Sequence, residues 1–327
     1  MMKAVLCTAF GPPEDLRIVD IPRPEAGPGE VVVEVGAAAL NFFDTLIVAG
    51  KYQTRPPLPF SPGGELAGTV VAVGADVEGV APGDRVMGHI GWGGARQFAA
   101  VPAARLIAIP QGLSDEVAAG LIIAYGTTLH AFKDRAALKA GETVAVLGAS
   151  GGVGIAAIEI AKAMGARVIA CASSEEKLAF CRAQGADDTL NYEKEDIKAG
   201  LKARTDGAGV DVVYDPVGGA HAEAALRATG WNGRFLVIGF AGGDIPRIAL
   251  NLCLLKGNAI IGVNWGEFAF RDPAASRANN VQILEWVHGG KLKPHVDHVY
   301  ALESTVEALG AIARREVKGK IVVAPNP

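Results

Sequence analysis

Apolar residues in the first third of the chain come in short β-branched runs, at residues 2–8, 16–21 and 31–39. Gly11-Pro12-Pro13 and the Pro-Glu-Ala-Gly-Pro-Gly stretch at 24–29 separate them. Runs of this length with Gly/Pro punctuation predict strands. Residues 68–73 and the stretch 85–101 continue the pattern, with a turn at Pro82-Gly83-Asp84 between them. So many short strands predict a barrel-like β domain.

The pattern changes near Leu113. Ser114-Asp115-Glu116 opens a helix, and the Ala/Ile-rich run 118–129 continues it. From Glu142 onward, continuous apolar runs alternate with helical stretches. Strands are predicted at 143–147, 167–172, 210–214, 234–239 and 259–263, and helices at 153–164, 175–184, 221–228 and 281–287. This alternation predicts a parallel, doubly wound α/β sheet. The end is mixed: an extended piece from Val299, a helix over 303–315, and a strand over 320–324 with no neighbour in sequence. That strand is expected to pair back into the β domain. The reading is a discontinuous first domain (1–122 and 291–327) with a second (123–290) inserted into it.

One turn in the second domain carries chemistry. Val144-Ala-Val-Leu-Gly148-Ala-Ser150-Gly151-Gly152-Val153-Gly154 joins a predicted strand to a predicted helix. Gly148 suits the tight turn, Gly151 and Gly152 let backbone N–H groups approach a pyrophosphate, and Gly154 lets the helix pack closely on the sheet. Ser150, Gly151, Gly152 and Val153 are therefore candidate dinucleotide contacts, at a helix N-terminus whose free N–H groups favour an anion. The end of the next strand bears on the cofactor. An NAD site usually carries Asp or Glu there, whereas this chain has Cys171-Ala172-Ser173-Ser174, then Lys177 one turn later and Tyr192 after the following strand. A hydroxyl and an ammonium suit a 2′-phosphate, so NADPH is the expected cofactor. Glu175 and Glu176 fit this only if they point away along the helix.

Composition narrows the classes. With 31 Lys and Arg against 35 Asp and Glu, the net charge is −4 and there is no basic run, which argues against nucleic acid. No apolar stretch is long enough to span a bilayer. Cys7, Cys171, Cys181 and Cys253 are scattered with no CxxC pair, which reads as free thiols in a reducing, cytoplasmic setting.

Leu40-Asn41-Phe42-Phe43-Asp44-Thr45, Pro62-Gly63-Gly64-Glu65-Leu66-Ala67-Gly68, Gly148–Gly154 and the Asp211–Gly219 segment give the chain a whole-length resemblance. It resembles the zinc-free quinone oxidoreductase branch of the medium-chain dehydrogenase/reductase superfamily. The resemblance implies a GroES-like β domain, a Rossmann domain and an active cleft between them. Zinc enzymes of the superfamily carry a Cys near the position of Asn41 and a His before the motif's Glu, where this chain has Gly64. Their lobe of closely spaced cysteines has no counterpart near residues 88–110. No metal is expected. Without a Lewis acid, acceptors that take hydride readily become attractive: quinones and other α,β-unsaturated carbonyls.

The resemblance also implies site residues. Asn41 matches the active-site Asn, Tyr52 a cleft tyrosine, and Asp44 a residue that orders the loop or a ribose hydroxyl. Thr127, Gly239, Phe240, Asn264 and Trp265 match cofactor contacts, and Arg315 and Lys320 match basic residues beside the adenosine phosphates. Trp92, Trp231 and Trp286 read as core or interface residues. One departure is Leu46, where quinone reductases often carry a second tyrosine, so enoyl-CoA reduction stands as an alternative to quinone reduction. A non-catalytic NADPH-binding role, as in crystallin-like relatives, is the alternative of another class. The apolar segment 245–263 ends in a predicted edge strand, and an open edge invites a homodimer.

Overall fold

The computed structural model describes residues 1–326. The chain divides into two compact units, one made of Met1–Ile123 together with the chain from His295 onward, the other of Ala124–Pro294.

In the first unit, β1 (Met2–Leu6) and β2 (Arg17–Ile21) form an antiparallel ribbon. The long strand β3 (Glu30–Leu40) pairs with β4 (Glu65–Val73), and β5 (Arg85–His89) adds to β4. Strand β6 (Phe98–Pro102) returns to β3, and β7 (Leu106–Ala108) completes the run against β5. The stretch 85–101, expected to be continuously extended, is two strands. Gly91 and Gly93 take positive φ (86° and 109°) and turn the chain between them. Val31, Val33, Val35, Leu66, Val70, Val86, Ala99 and Leu106 pack into one core. Gly68 lies opposite Val35, beside a register shift. A Cβ at Gly68 would stand 2.0 Å from the Glu34 carbonyl oxygen, so the strands meet here only because the residue is glycine. Helices α1 (Phe42–Val48) and α2 (Asp115–Ala119) follow β3 and β7, the latter capped by Ser114, whose Oγ accepts from Val117 N–H at 3.4 Å.

Helix α3 (Ile122–Leu129) leads into the second unit and widens into a π-helical turn over His130–Arg135. Then β8 (Thr143–Leu147), α4 (Gly152–Ala163), β9 (Arg167–Ala172), α5 (Glu175–Ala183) and β10 (Asp188–Asn191) run in strict alternation. They are followed by α6 (Ile197–Ala203), β11 (Val210–Asp215), α7 (His221–Arg227), β12 (Thr229–Val237), α8 (Asn251–Lys256) and β13 (Ala259–Gly262). Helices α9 (Trp265–Arg271) and α10 (Pro273–His288) close the unit. All pairings are parallel, in the order β10-β9-β8-β11-β12-β13. Chain progression reverses between β8 and β11, the switch point where such sheets bind ligands at their carboxyl ends. The apolar segment 245–263 resolves into α8 and β13. Helix α10 begins at Pro273 rather than 281, because Pro273 sits in its first turn and Asp272 Oδ1 caps it by accepting from Ala275 N–H at 3.0 Å. Trp231 is no core residue: it is 74% exposed at the start of β12.

The chain re-enters the first unit through β14 (Val296–Ala301), α11 (Thr305–Ala313) and β15 (Lys320–Ala324). Strand β15 runs parallel to β14 and antiparallel to β3, with Ile321 opposite Leu40. The last strand therefore does pair back into the β unit, and it brings Lys320 beside Asn41.

Gly68→Ala is expected to lower the free energy of unfolding by about 1–3 kcal/mol, the usual cost of overpacking against backbone. Urea denaturation checks this. An unchanged midpoint would mean that β3 and β4 separate freely at this crossing.

Candidate active site

The polar residues of the first unit gather where β3 ends. Asn41 is the N-cap of α1, and its backbone N–H donates to Asp44 Oδ2 at 2.7 Å. Asp44 Oδ1 accepts from Gly63 N–H at 3.0 Å, so a single carboxyl ties the helix start to the Pro62-Gly63-Gly64 turn. Asp44 is buried, and burial pushes its pKa up to about 7, against the opposing pull of the two N–H donors and of Lys320. Its geometry is that of a residue that orders the loop.

Beside it lies a second carboxylate with no exposure at all. Glu65 Oε1 accepts from Lys320 Nζ at 2.8 Å and from Asn41 Nδ2 at 3.0 Å, while Oε2 accepts from Ile123 N–H at 2.8 Å. Lys320 Nζ also donates to Asn41 Oδ1 at 2.6 Å and to Leu40 O at 3.3 Å. This corrects the expectation that Lys320 lies beside the adenosine phosphates. Its side chain is only 7% exposed, and three protein oxygens take up its three N–H groups. Removing one partner of a buried pair of this kind costs ~3–5 kcal/mol. Arg315, the other basic residue expected there, is exposed at the end of α11 with φ 59°.

Tyr52 is half-buried with its ring tilted on Phe43, centroids 5.7 Å apart. Burial and the nearby Asp44 charge both raise its pKa, so the phenol keeps its proton as a donor. The Phe43 ring also occupies the place of a side chain at Gly64, where a Cβ would stand 2.5 Å from Cζ. His89, opposite Glu65 in the β4–β5 register, is held neutral by burial, which pushes its pKa down.

The second unit gathers its candidates at the carboxyl ends of the parallel strands. After β8 the chain turns at Gly148, with φ 57°, and starts α4 with Gly151 as N-cap. A Cβ at Gly154 would stand 2.5 Å from Gly148 O and 2.6 Å from Ala149 O, so helix and turn touch through this glycine. At Gly151 a Cβ would meet only Gly148 O, at 3.6 Å. That glycine is not required by the protein's own packing, and it leaves open space in front of the first turn. No side chain caps α4, so its first N–H groups, including those of Gly152 and Val153, form a cradle for an anion. Ser150 is buried beside them.

One strand over, Ser173 follows β9 and Tyr192 follows β10. The parallel register sets them side by side, with Asn191 opposite Ala172 and Tyr192 N–H donating to Ala172 O at 3.2 Å. Ser174 caps α5 by accepting from Lys177 N–H at 3.3 Å, which places Lys177 in the first turn of the helix. The Tyr192 ring packs on His221, centroids 4.7 Å apart. Glu175, the first residue of α5, accepts from Asn191 Nδ2 at 2.7 Å and from Lys194 Nζ at 3.2 Å and is thus engaged toward β10.

Beyond the switch point, Asp215 Oδ1 accepts from Val217 and Gly218 N–H at 2.8 and 2.9 Å and shapes the loop after β11. The segment after β12 crosses this loop: Ala241 N–H donates to Pro216 O at 3.0 Å, and a Cβ at Gly218 would stand 2.8 Å from Phe240 Cδ1. Gly239 and Phe240 therefore lie over the β11 end. From Leu121 to Phe132, Thr127 alone keeps partial exposure, which suits a ligand contact. Its helix is pinned on both sides, by Tyr125 donating to Glu159 Oε2 at 2.8 Å and by Thr128 Oγ1 with the Tyr214 hydroxyl at 2.9 Å. Trp265 packs on the same helix; a Cβ at Gly126 would stand 2.9 Å from its Nε1. Asn264 caps α9, its Oδ1 accepting from Glu267 N–H at 3.2 Å.

Sequence reasoning did not single out Glu65, Asp215 or Glu159 as site residues. Glu65 and Asp215 stood inside quoted motifs, and a carboxylate in a run of small apolar residues was the available signal. Glu159 carried the same signal within Ile158-Glu159-Ile160.

Burial holds the Asp44 carboxyl at a pKa of about 7 in the folded chain, above the ordinary value of ~3.9. The folded state then holds the extra proton, so its contribution to stability is present at pH 4 and is lost as pH rises through 7. Asp44→Asn is expected to flatten this fall, as read from urea midpoints between pH 5 and pH 8. The same slope in wild type and variant would contradict the assignment.

Two family models match the chain: one described as alcohol dehydrogenase GroES-like domain over residues 27–111, the other as zinc-binding dehydrogenase over residues 152–280. A quinone oxidoreductase-like protein 2 homolog of Nematostella vectensis is 38% identical over 325 residues, covering 98% of this chain and 88% of the relative. A quinone oxidoreductase of Pseudomonas aeruginosa is 32% identical, covering 99% of this chain and all of the relative. Among solved structures, Escherichia coli quinone oxidoreductase complexed with NADPH superimposes with a TM-score of 0.90 at 27% identity, covering 99% of this chain and 100% of that one. A zinc ion does not fit the residues present here. Among the described residues no three His, Cys, Asp or Glu side chains converge, and both Glu65 oxygens already accept from protein donors. Phe43 fills the side-chain space at Gly64. With whole-length identity above 30% and the same two-domain architecture, the chain belongs to the quinone oxidoreductase branch of the medium-chain dehydrogenase/reductase superfamily.

Proposed function

We propose that the chain is an NADPH-dependent reductase that delivers hydride to a quinone or another α,β-unsaturated carbonyl. The observation that carries this reading is the rim around the ends of β8, β9 and β10. There an uncapped helix start faces open space at Gly151, Ser173 and Tyr192 stand side by side, and Lys177 lies one turn away. The Glu175 carboxylate, a charge that would repel a 2′-phosphate, is held by Asn191 and Lys194. The names of the relatives point to the same chemistry.

NADPH, when bound, supplies the hydride. The chain's own residues hold and polarise. The α4 N–H groups suit the pyrophosphate, and Ser173, Lys177 and Tyr192 suit the 2′-phosphate. Thr127, Gly239, Phe240, Asn264 and Trp265 are assigned to the rest of the cofactor, and Arg315 to its phosphates. In the first unit, Asn41 and Tyr52 offer N–H and O–H donors to the acceptor's oxygen, on which negative charge grows as hydride arrives at carbon. Asp44 holds the loop that carries Asn41. Water supplies the proton. Leu46, in place of a second tyrosine, makes the acceptor side more apolar and favours a second reading as an enoyl-thioester reductase.

Lys177→Ala is expected to raise the KM for NADPH about tenfold and leave NADH kinetics unchanged, in line with one charge-assisted bond of ~1.5–3 kcal/mol. Initial rates with a 1,4-quinone and a short enoyl-CoA, each with both nucleotides, check this. Equal losses for the two nucleotides would remove the phosphate assignment. Nucleotide binding with no turnover of either acceptor would leave a non-catalytic binding protein.

We further infer a homodimer built through β13. This strand ends the sheet order, and Leu250, Leu254 and Leu255 before it are 78, 83 and 67% exposed. An open edge beside apolar surface favours a second copy. Sedimentation should give twice the chain mass for wild type and a shift to monomer for Leu254→Arg/Leu255→Arg. A monomeric wild type would end the proposal.

A further inference from the structure

We propose that Lys320 and Glu65 are positioning residues that lock the side-chain amide of Asn41 in one orientation, so that it presents only an N–H donor and selects an acceptor oxygen. This rests on the reading of Asn41 as the partner of the substrate oxygen.

A primary amide has two edges of nearly equal shape, and only its hydrogen-bond partners decide which edge faces a ligand. Here both edges are committed. Asn41 Oδ1 receives the Lys320 ammonium at 2.6 Å, and one Nδ2–H goes to Glu65 Oε1 at 3.0 Å. Turning the amide over would set its NH2 against an ammonium and its oxygen against a carboxylate, two repulsions in a site shielded from water. Neither ion can move aside. Glu65 has no exposure and is anchored through Oε2 to Ile123 N–H, and Lys320 is 6% exposed with its remaining donor on Leu40 O.

The arrangement leaves one group unspent. Lys320 has donated three N–H groups, both oxygens of Glu65 have accepted, and Asn41 keeps one Nδ2–H. Asn41 is also the one member of the three that retains exposure. The ammonium on Oδ1 draws electron density out of the amide and the carboxylate on the other Nδ2–H returns it, so what the pair fixes is the direction of the remaining N–H. A ligand oxygen gaining negative charge, such as a carbonyl becoming an enolate or phenolate, is served by this edge. The pair carries no net charge, so its influence passes through the amide and not through a long-range field.

The test is a double-mutant cycle on kcat with a 1,4-quinone at saturating NADPH: Asn41→Ala, Lys320→Met, and both together. Asn41→Ala and Lys320→Met are each expected to lower kcat 10- to 100-fold, and the double variant to be no slower than Asn41→Ala. The NADPH Kd, read by fluorescence, should stay within twofold. Because Lys320→Met alone strands the Glu65 carboxylate, Lys320→Met/Glu65→Gln serves as the neutral replacement if the single variant does not fold. Multiplying losses in the cycle, or wild-type kcat in a folded Lys320→Met, would overturn the proposal. Full activity in Asn41→Ala would overturn both the proposal and the reading beneath it. A readout that needs no turnover separates the two: the Asn41 side-chain amide protons seen by NMR. One of the pair should be protected from exchange in wild type and lose protection in Lys320→Met/Glu65→Gln. Two equally unprotected protons in wild type would sink the lock even if the enzyme reading survived.

Discussion

A carboxylate buried without exposure must find its hydrogen bonds inside the protein, and Glu65 finds them from three distant parts of the chain. It sits at the start of β4, and its partners are the end of β3 at Asn41, the start of β15 at Lys320 and the backbone of Ile123. Satisfying this one group brings the C-terminal strand against β3 and sets the N-cap of α1. Asp44 then adds the Gly63 turn. The position of Asn41 is thus set by the demands of a buried charge, whose oxygens and ammonium have no donor or acceptor to spare.

The second unit uses a different device. Its cradle is made of backbone, and glycine decides where backbone can go. Gly154 lets α4 touch the turn after β8, while Gly151 leaves the front of the helix clear. Side chains enter at the next two strand ends, with Ser173 after β9, Tyr192 after β10 and Lys177 in the first turn of α5. Asp215 and Phe240 shape the far side of the same rim. Each of these positions follows from parallel register, which lines up all strand ends on one edge.

Legibility in the sequence followed the range of the interactions. Gly148 to Gly154 could be read because strand, turn and helix are contiguous, and the parallel sheet because its strands are apolar throughout. The turn at Gly91–Gly93 was missed because residues on both sides are extended, and α8 because the segment around it is apolar without helical period. Lys320 was misread for a deeper reason. Its partner Glu65 is 255 positions away, and nothing local distinguishes a lysine that meets a phosphate from one that meets a buried carboxylate. For Glu159 the sequence showed a carboxylate among apolar residues but not its partners, since Tyr125 and Lys293 meet it only in the folded chain.

The central proposal is that hydride passes directly from the nicotinamide to the acceptor carbon. The most direct measurement is reduction of a cyclic enone by NADPH deuterated at the transferring position of C4, in ordinary water, with the product read by mass spectrometry and NMR. The account predicts one deuterium, at the β-carbon. Reduced product without the label, or label confined to positions that exchange with solvent, would contradict it.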